Sequence, residues 1–377
     1  MINFNEPTKL GQEIKFIGDL LKKNYPISSN SFYSKKCINF LKKKLNINYS
    51  ILTGSCTAAL EMTALILDVK KGDEIILPSF SFVTTANAFA LRGAKLVYAD
   101  IDKLSLNLDL EDVEKKITKK TKAVVVVNYA GSSCNLKLLK KITEKKKIFL
   151  IEDAAQSIFS KFQKTPLGTI GDFGCYSFHE TKNIHCGQGG ALIIKNKKFY
   201  NKALHIRDKG TNKATIKPTQ KYVWASLGSS YALTETLSAH LYFQLINWKK
   251  IIKKRLKIWK IYNQFFEKRK FKNLLTKNNY KKKDLKLGIY NAHIFYLVLN
   301  KKYNRDKFLK SLQNKGVFCT THYEPLHLSK FSRKYVKKKY KLPNTELITK
   351  QLIRLPLHYN MTIKDAKIVC ESIDQFV

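Results

Sequence analysis

Lys182 is the residue whose chemistry organises the chain. It lies in Cys175-Tyr-Ser-Phe-His-Glu-Thr-Lys-Asn-Ile-His-Cys-Gly-Gln-Gly-Gly190, with Ser177 at the head of a Ser-x-x-x-x-Lys. Upstream, Asp153 ends the apolar run Ile148-Phe-Leu-Ile-Glu-Asp153 and is followed by Ala-Ala-Gln156. A strand-end acid, a Ser-x-x-x-x-Lys and a glycine-rich turn, in that order, are what pyridoxal phosphate (PLP) chemistry needs. A lysine forms a Schiff base with the aldehyde. A carboxylate keeps the pyridine nitrogen protonated, so the ring accepts electrons. A hydroxyl helps to bind the phosphate. Gln156 adds a donor for the ring 3′-oxygen. Each piece alone is common, and Asp153 could equally cap a helix; the ordered set is specific.

Other segments supply supporting groups. Thr53-Gly-Ser-Cys-Thr-Ala-Ala-Leu60 joins a predicted strand to a predicted helix, and backbone N–H groups at such a helix start bind phosphate. Pro78-Ser-Phe-Ser-Phe-Val-Thr-Thr-Ala-Asn87 follows the next strand, where Phe80 or Phe82 could stack on a ring or belong to the core. His179 and His185 flank Lys182; a proton relay and a packed, hydrogen-bonded turn both fit, the second better for His185. Thr320-Thr-His-Tyr-Glu-Pro-Leu-His327 could line a cleft, but His322 and His327 lack the spacing and company of a metal site. No metal is expected.

These residues need a frame. Short β-branched runs alternate with amphipathic stretches: strands at Tyr49–Leu52, Glu74–Leu77, Lys95–Tyr98, Ala123–Val127, Ile148–Ile151, Gly174–Phe178 and Ala191–Ile194, and helices at Thr57–Leu67, Thr84–Leu91, Leu110–Ile117 and Leu136–Lys145. Apolar runs of this kind have both faces buried, which predicts an α/β fold with a mostly parallel sheet covered by helices on both sides. Leu233–Phe266 reads as long helical material. A strand at His293–Leu299 and helices at Arg305–Lys315 and Ile363–Phe376 follow. The expected organisation is a large cofactor-binding domain over 1–244, including the N-terminal segment, and a smaller C-terminal α/β domain over 245–377.

Composition bounds the partners. The chain has 377 residues, 44% apolar, with ample material for a core. Runs such as Val124–Val127 are too short to span a membrane, and Met-Ile-Asn-Phe-Asn-Glu-Pro has no charged region followed by an apolar one. A cytoplasmic protein without membrane contact is expected. The seven cysteines form no CxxC and no disulfide framework. A net charge of +42 ordinarily suggests nucleic acid, but only seven of the 70 basic residues are arginine and no recognition motif is present. The excess reads as compositional drift of an AT-rich genome, and nucleic acid is not an expected partner. A positive field would still attract an anionic substrate.

Longer stretches carry a resemblance: Ser55-Cys-Thr-Ala58, Pro78–Phe89 with Leu91-Arg-Gly-Ala94, Glu152-Asp-Ala-Ala-Gln156, Ser177-Phe-His-Glu-Thr-Lys-Asn183, Ile206-Arg-Asp-Lys-Gly-Thr-Asn212, Leu227-Gly-Ser-Ser-Tyr231, Asn291-Ala-His293, His322-Tyr-Glu-Pro-Leu-His327 and Leu355-Pro-Leu357. The chain resembles the DegT/DnrJ/EryC1/StrS sugar aminotransferases, a branch of the fold-type I PLP-dependent transferases. Within them it is most similar to the dTDP-4-amino-4,6-dideoxygalactose transaminases.

The resemblance implies Lys182 as the Schiff-base lysine, Asp153 as the pyridinium partner and Gln156 as the 3′-oxygen contact. Thr57, Ala58 and Ser177 would bind phosphate, and Phe82 would stack on the ring. Ser230 would reach the phosphate of the neighbouring subunit, which implies a homodimer with shared sites. The substrate implied is a nucleotide-linked 4-keto-6-deoxyhexose, with glutamate as amino donor. Two departures bear on substrate choice: Gly187-Gln-Gly-Gly190 replaces a turn carrying an acid, and Ser29-Asn-Ser31 replaces Gly-Asp-Gly. The alternatives are another nucleotide-sugar aminotransferase, a sugar dehydratase of the same fold, and a non-catalytic binding module. Relatives of the dehydratase kind carry His in place of the lysine, so Lys182 speaks against that reading. Intact Asp153, Gln156 and Lys182 speak against the non-catalytic one.

Overall fold

A computed structural model describes residues 1–217, 220–268, 274–277, 290–301, 303–336 and 338–374. In chain order, two helices (α1, Glu13–Lys22; α2, Phe32–Leu45) precede β1 (Tyr49–Thr53), α3 (Cys56–Ile66), β2 (Glu74–Pro78), α4 (Val83–Ala90), β3 (Lys95–Ala99), α5 (Leu110–Lys116), β4 (Thr121–Val127), α6 (Leu136–Lys146) and β5 (Phe149–Asp153). A short hairpin (β6, Lys161–Phe162; β7, Thr165–Pro166) leads to β8 (Phe173–Ser177), β9 (Gly190–Ile194) and α7 (Lys197–Arg207).

The seven-stranded sheet has the order β1-β9-β8-β5-β4-β2-β3. Its β5–β8, β4–β5, β2–β4 and β2–β3 pairs are parallel, and β9 runs antiparallel to both neighbours. Strand alternation divides the valine run of β4 between two cores. Ala123 and Val125 pack with α3, α4 and α7 on one face. Val124 and Val126 pack with residues of α5 and α6 on the other. Burial of both faces is why the run has no polar alternation. The elements expected from the sequence over 49–194 are present, with ends moved by one or two residues.

The stretch read as long helical material is two helices, α8 (Glu235–Ile246) and α9 (Trp248–Lys268). Asn247 separates them, its side-chain amide donating to the Phe243 carbonyl at 2.9 Å. The start of α9 packs under the large sheet through Ile251. Its end packs through Ile258, Trp259, Tyr262 and Phe266 onto a three-stranded antiparallel sheet of β10 (Leu274–Lys277), β11 (Phe295–Leu299) and β12 (Leu352–Leu355), ordered β10-β11-β12. The helices Arg305–Asn314 and Ile363–Asp374 cover this second core. Ile2 belongs to the same core: its N–H donates to the Gly316 carbonyl (2.7 Å), and its carbonyl accepts from Phe318 N–H (3.0 Å).

Candidate active site

Strand register gathers the chemistry at one edge of the large sheet. Asp153, the last residue of β5, pairs with Val127 on one side and Cys175 on the other. Ser177, the last residue of β8, pairs with Gly190, which in turn pairs with Thr53. Gly190 cannot be replaced: a Cβ there would lie 2.4 Å from the Ser55 carbonyl carbon, so glycine lets the N-terminus of α3 approach β9. The carboxyl ends of parallel strands are where open α/β sheets bind ligands.

Lys182 sits in the connection between β8 and β9. Hydrogen bonds from Phe178 N–H to the Gly189 carbonyl (2.7 Å) and from Glu180 N–H to the Gly187 carbonyl (2.8 Å) hold the two limbs together. Gly187 takes φ +83°, which favours glycine. Next to the lysine, Asn183 donates to the Asn291 carbonyl at 2.6 Å and meets His293 Nδ1 at 3.0 Å. Asn291 donates to the carbonyls of Gln156 (2.9 Å) and Ile158 (3.0 Å). The lysine loop is thereby tied to the segments carrying Gln156 and β11.

The lysine lines a cleft of about 430 Å³ together with Asp153, Gln156, Ser177, Thr57 and Phe82. Asp153 is buried. Its Oδ2 accepts from Thr85 Oγ1 (2.6 Å), and Oδ1 accepts from Ala155 N–H (3.2 Å). Burial pushes its carboxyl above the usual range, with the Thr85 and Ala155 hydrogen bonds opposing that shift. Burial also pulls the Lys182 amine below the usual lysine range; the charges of Cys56 and Asp153 oppose this and that of Arg354 adds to it. Gln156 is held by Ala130 N–H on Oε1 (2.7 Å) and donates from Nε2 to Tyr323 OH (2.7 Å).

Two expected phosphate contacts have their own local structure. Ser55 caps α3, and its Oγ accepts the Ala58 N–H at 3.0 Å, so that N–H already has a partner. Thr57 lines the cleft. Phe82 lines it also and is 58% exposed, whereas Phe80 is core. Ser230 does not line its own chain's cleft; it is exposed and bridges to Asp208. His179 lines the cleft. His185 is buried away from it against the Thr8 carbonyl (2.9 Å), and His327 is buried between Ser79 Oγ (2.7 Å) and Glu346 (3.3 Å). Among the described residues no group of His, Cys, Asp and Glu could hold a metal ion, and no helix is long and apolar enough to cross a membrane.

Sequence reasoning missed several members. Thr85 and Ser81 lay in a segment singled out only for its phenylalanines. Arg354 precedes the noted Leu355-Pro-Leu357, and His293 ends the noted Asn291-Ala-His293. His322 was considered only as a cleft or metal residue. Its Nδ1 lies 3.1 Å from Tyr129 OH, its ring stacks on Tyr323 (centroids 3.9 Å apart, 9° between planes), and Arg354 Nη1 is hydrogen-bonded to its ring. Burial, then the charges of Arg354 and Lys182, hold His322 well below the usual histidine range, so it is a neutral ring.

The arrangement fits PLP. A buried carboxyl that forms no ion pair among the described residues suits a pyridinium, a lysine of lowered basicity suits an aldehyde, and Ser177 with the start of α3 offers phosphate donors.

The comparisons agree. The pattern of the DegT/DnrJ/EryC1/StrS aminotransferase family matches residues 30–374. An uncharacterized protein of Methanocaldococcus jannaschii is 31% identical over 376 residues, covering 97% of this chain and 95% of that one. The GDP-perosamine synthase of Escherichia coli O157:H7 is 26% identical over 375 residues, covering 98% and 97%. Among solved structures, the aminotransferase TlmJ of Streptoalloteichus hindustanus superposes with a TM-score of 0.89 at 25% identity, covering 99% and 98%. The chain belongs to the DegT/DnrJ/EryC1/StrS aminotransferase family and is a PLP-dependent aminotransferase.

Proposed function

We propose that the protein moves an amino group from glutamate to the C4 ketone of a nucleotide-linked 4-keto-6-deoxyhexose, with dTDP-4-keto-6-deoxyglucose as the substrate and dTDP-4-amino-4,6-dideoxygalactose as the product. The observation that carries the reading is the meeting of Asp153, Gln156, Ser177 and Lys182 at one sheet edge. The sugar class is supported by the relative that makes GDP-perosamine, and the finer choice by the motifs around Lys182 and Ser230.

When bound, PLP supplies the electron sink for proton removal from carbon. Lys182 serves as base and acid at the donor Cα and, in the second half of the cycle, at the sugar C4. Its lowered basicity puts more of the amine in the neutral form a base requires. Asp153 holds the proton on the pyridine nitrogen, and Thr85 fixes the carboxylate's direction. Gln156 donates from Nε2 to Tyr323 OH, and this pair would supply the polar contact for the ring 3′-oxygen when PLP is bound.

We also propose a homodimer with shared sites. Ser230 stands off its own cleft, and its neighbours Trp224 (80% exposed) and Leu227 (59%) present apolar surface. Phe82 and Val83, also exposed, present more at the cleft rim.

The test is to incubate the protein with PLP, glutamate and dTDP-4-keto-6-deoxyglucose, with the GDP-linked 4-keto-6-deoxymannose in parallel, and to assign the amino sugar by NMR. A 4-amino sugar from the dTDP substrate alone supports the reading. Product only from the GDP substrate would replace the nucleotide and sugar named here, and an unchanged ketone with both would overturn the reaction.

A further inference from the structure

His293 is a buried ring with one nitrogen engaged and one free. It follows Ala292, which takes φ +49°, a left-handed value that is strained for a residue with a side chain. Several contacts hold the segment there. Arg255, buried in α9, donates to the carbonyls of Ala292 (3.0 Å) and His293 (2.7 Å). The His293 N–H donates to Asn291 Oδ1 (3.1 Å). The ring is thus placed by α9 and by the segment that leads into β11.

The hydrogen-bond pattern fixes which nitrogen carries the hydrogen. Asn183, next to Lys182 in the chain, donates from Nδ2 to the Asn291 carbonyl (2.6 Å), which turns its Oδ1 toward His293 Nδ1 at 3.0 Å. An amide oxygen can only accept, so Nδ1 is the protonated nitrogen. A second proton would set a cation among Lys182, Arg255 and Arg354. Burial, then the charges of those three, hold His293 well below the usual histidine range. Nε2 of this neutral ring therefore carries a lone pair. It has no hydrogen-bond partner among the described residues, and His293 lines the cleft with Lys182. The other histidines of the cleft differ: His322 is engaged by Arg354 and Tyr129, and His179 is exposed, with Nδ1 3.0 Å from Thr181 Oγ1.

Lys182 becomes an ammonium each time it takes a proton from carbon. Burial and the charge of Arg354 disfavour that ammonium, and the charges of Cys56 and Asp153 favour it. We propose that His293 Nε2 accepts a hydrogen bond from the Lys182 side chain, holding the ammonium after it takes a proton and aiming the amine's lone pair at the reacting carbon before it does. His293 is a positioning residue: no proton passes to the ring, and only the hydrogen bond forms and breaks. An uncharged acceptor steadies the ammonium through a charge-assisted hydrogen bond, yet adds no anion that would keep the proton from being returned. The assignment rests on the reading of Lys182 as the proton carrier.

The test reads the lysine directly. Wild type is compared with His293→Phe, which keeps a ring but no acceptor, and with His293→Gln, which returns an acceptor oxygen. In cofactor-free protein, labelling of the Lys182 amine is followed against pH by mass spectrometry. In cofactor-loaded protein, loss of the visible band with L-glutamate and its return with the keto sugar nucleotide are followed over a range of substrate concentrations. Nitrogen-15 spectra of histidine-labelled wild type and Lys182→Ala, both cofactor-free, report the His293 ring itself.

His293→Phe is expected to make the Lys182 ammonium about tenfold more acidic and to slow both band changes at saturation about tenfold, the weight of one hydrogen bond to a charged group, with half-saturating concentrations within about threefold of wild type. His293→Gln is expected to recover most of both losses. The ring of wild type is expected in the Nδ1–H form, with an Nε2 signal that moves toward that of a free lone pair when the lysine is removed; the spectra carry the test if the phenylalanine variant does not fold. An unchanged labelling midpoint in folded His293→Phe would overturn the assignment. So would a loss confined to half-saturating concentrations, a glutamine variant no better than the phenylalanine one, an Nε2–H ring, or an Nε2 signal indifferent to the lysine. A wild-type visible band that borohydride does not bleach overturns the reading of Lys182, and this assignment with it.

Discussion

Thr85 Oγ1 donates to Asp153 Oδ2 at 2.6 Å, and Ser81 Oγ donates in turn to Thr85 at 2.7 Å. The helix that begins after Phe82 therefore fixes the carboxylate at the end of β5. Thr85→Val should keep the packing volume and remove this donor. Turnover should fall about tenfold, within the range for a hydrogen bond to a charged group, with cofactor occupancy unchanged. A steady-state assay at saturating PLP checks it.

Asp153→Asn should slow turnover by on the order of 10²-fold or more, because an amide cannot hold a proton on the pyridine nitrogen. Its effect on stability should be opposite. Folding raises the carboxyl's pKa above the unfolded value, so the buried anion destabilises the cofactor-free protein above that pKa, and acidification relieves the penalty. The amide removes it. Without cofactor, the variant should melt higher than wild type at neutral pH, and the gap should close as pH falls. Thermal melts at several pH values decide the matter; an equal or lower melting temperature at neutral pH would contradict the burial argument.

Lys182→Ala should abolish transamination, by on the order of 10³-fold or more for loss of both anchor and proton carrier. The protein should stay folded, because the side chain lies in a cleft wall and not in a core. Far-ultraviolet circular dichroism should match wild type, and the borohydride-sensitive visible band should be missing. Turnover within tenfold of wild type would remove the lysine from its role.

In cofactor-free protein, Lys182 should react with an amine reagent as a base weaker than the usual lysine value of 10.5. Removing the neighbouring cation with Arg354→Gln favours the ammonium form, so the pH midpoint of labelling should move up. Asp153→Asn removes a favourable anion and should move it down. Labelling rates against pH, read by mass spectrometry at Lys182, give both signs.

A mixed dimer tests the shared site. One subunit carries Lys182→Ala and the other Ser230→Glu, each inactive alone. If Ser230 serves the neighbouring cleft, the heterodimer has one doubly damaged site and one intact site, and should recover up to about half of wild-type activity. A verified heterodimer with no recovery, or a fully active monomer, would rule out the shared site.

The sequence made the large sheet legible because burial of both strand faces leaves unbroken apolar runs, and β4 shows the rule most clearly. It made the Asp153–Gln156–Lys182 set legible because those residues lie close together in the chain. The rest of the cleft was harder to see because its members are brought together from afar. Arg354 lies on a four-residue strand that directly follows the helix Pro343–Gln351 with no turn residues between, so neither periodicity nor punctuation marks β12. Thr85 looks like any threonine on a helix until the sheet brings Asp153 beside it. The resemblance named Ala58 as a phosphate contact; that Ser55 Oγ accepts its N–H is a capping contact the sequence reading did not consider.

The first eight residues have a mechanical consequence. Ile2 is stitched to Gly316 and Phe318 beside the small sheet, Phe4 covers Arg354, and the Thr8 carbonyl accepts from both His185 and Gln244, each at 2.9 Å. One short strap thus spans the small sheet, the arginine, the far side of the lysine loop and α8. A hinge rotation of one sheet against the other would have to tear the strap from one of its moorings. Any such rotation would therefore be felt at Phe4 over Arg354 and at Thr8 behind the lysine loop.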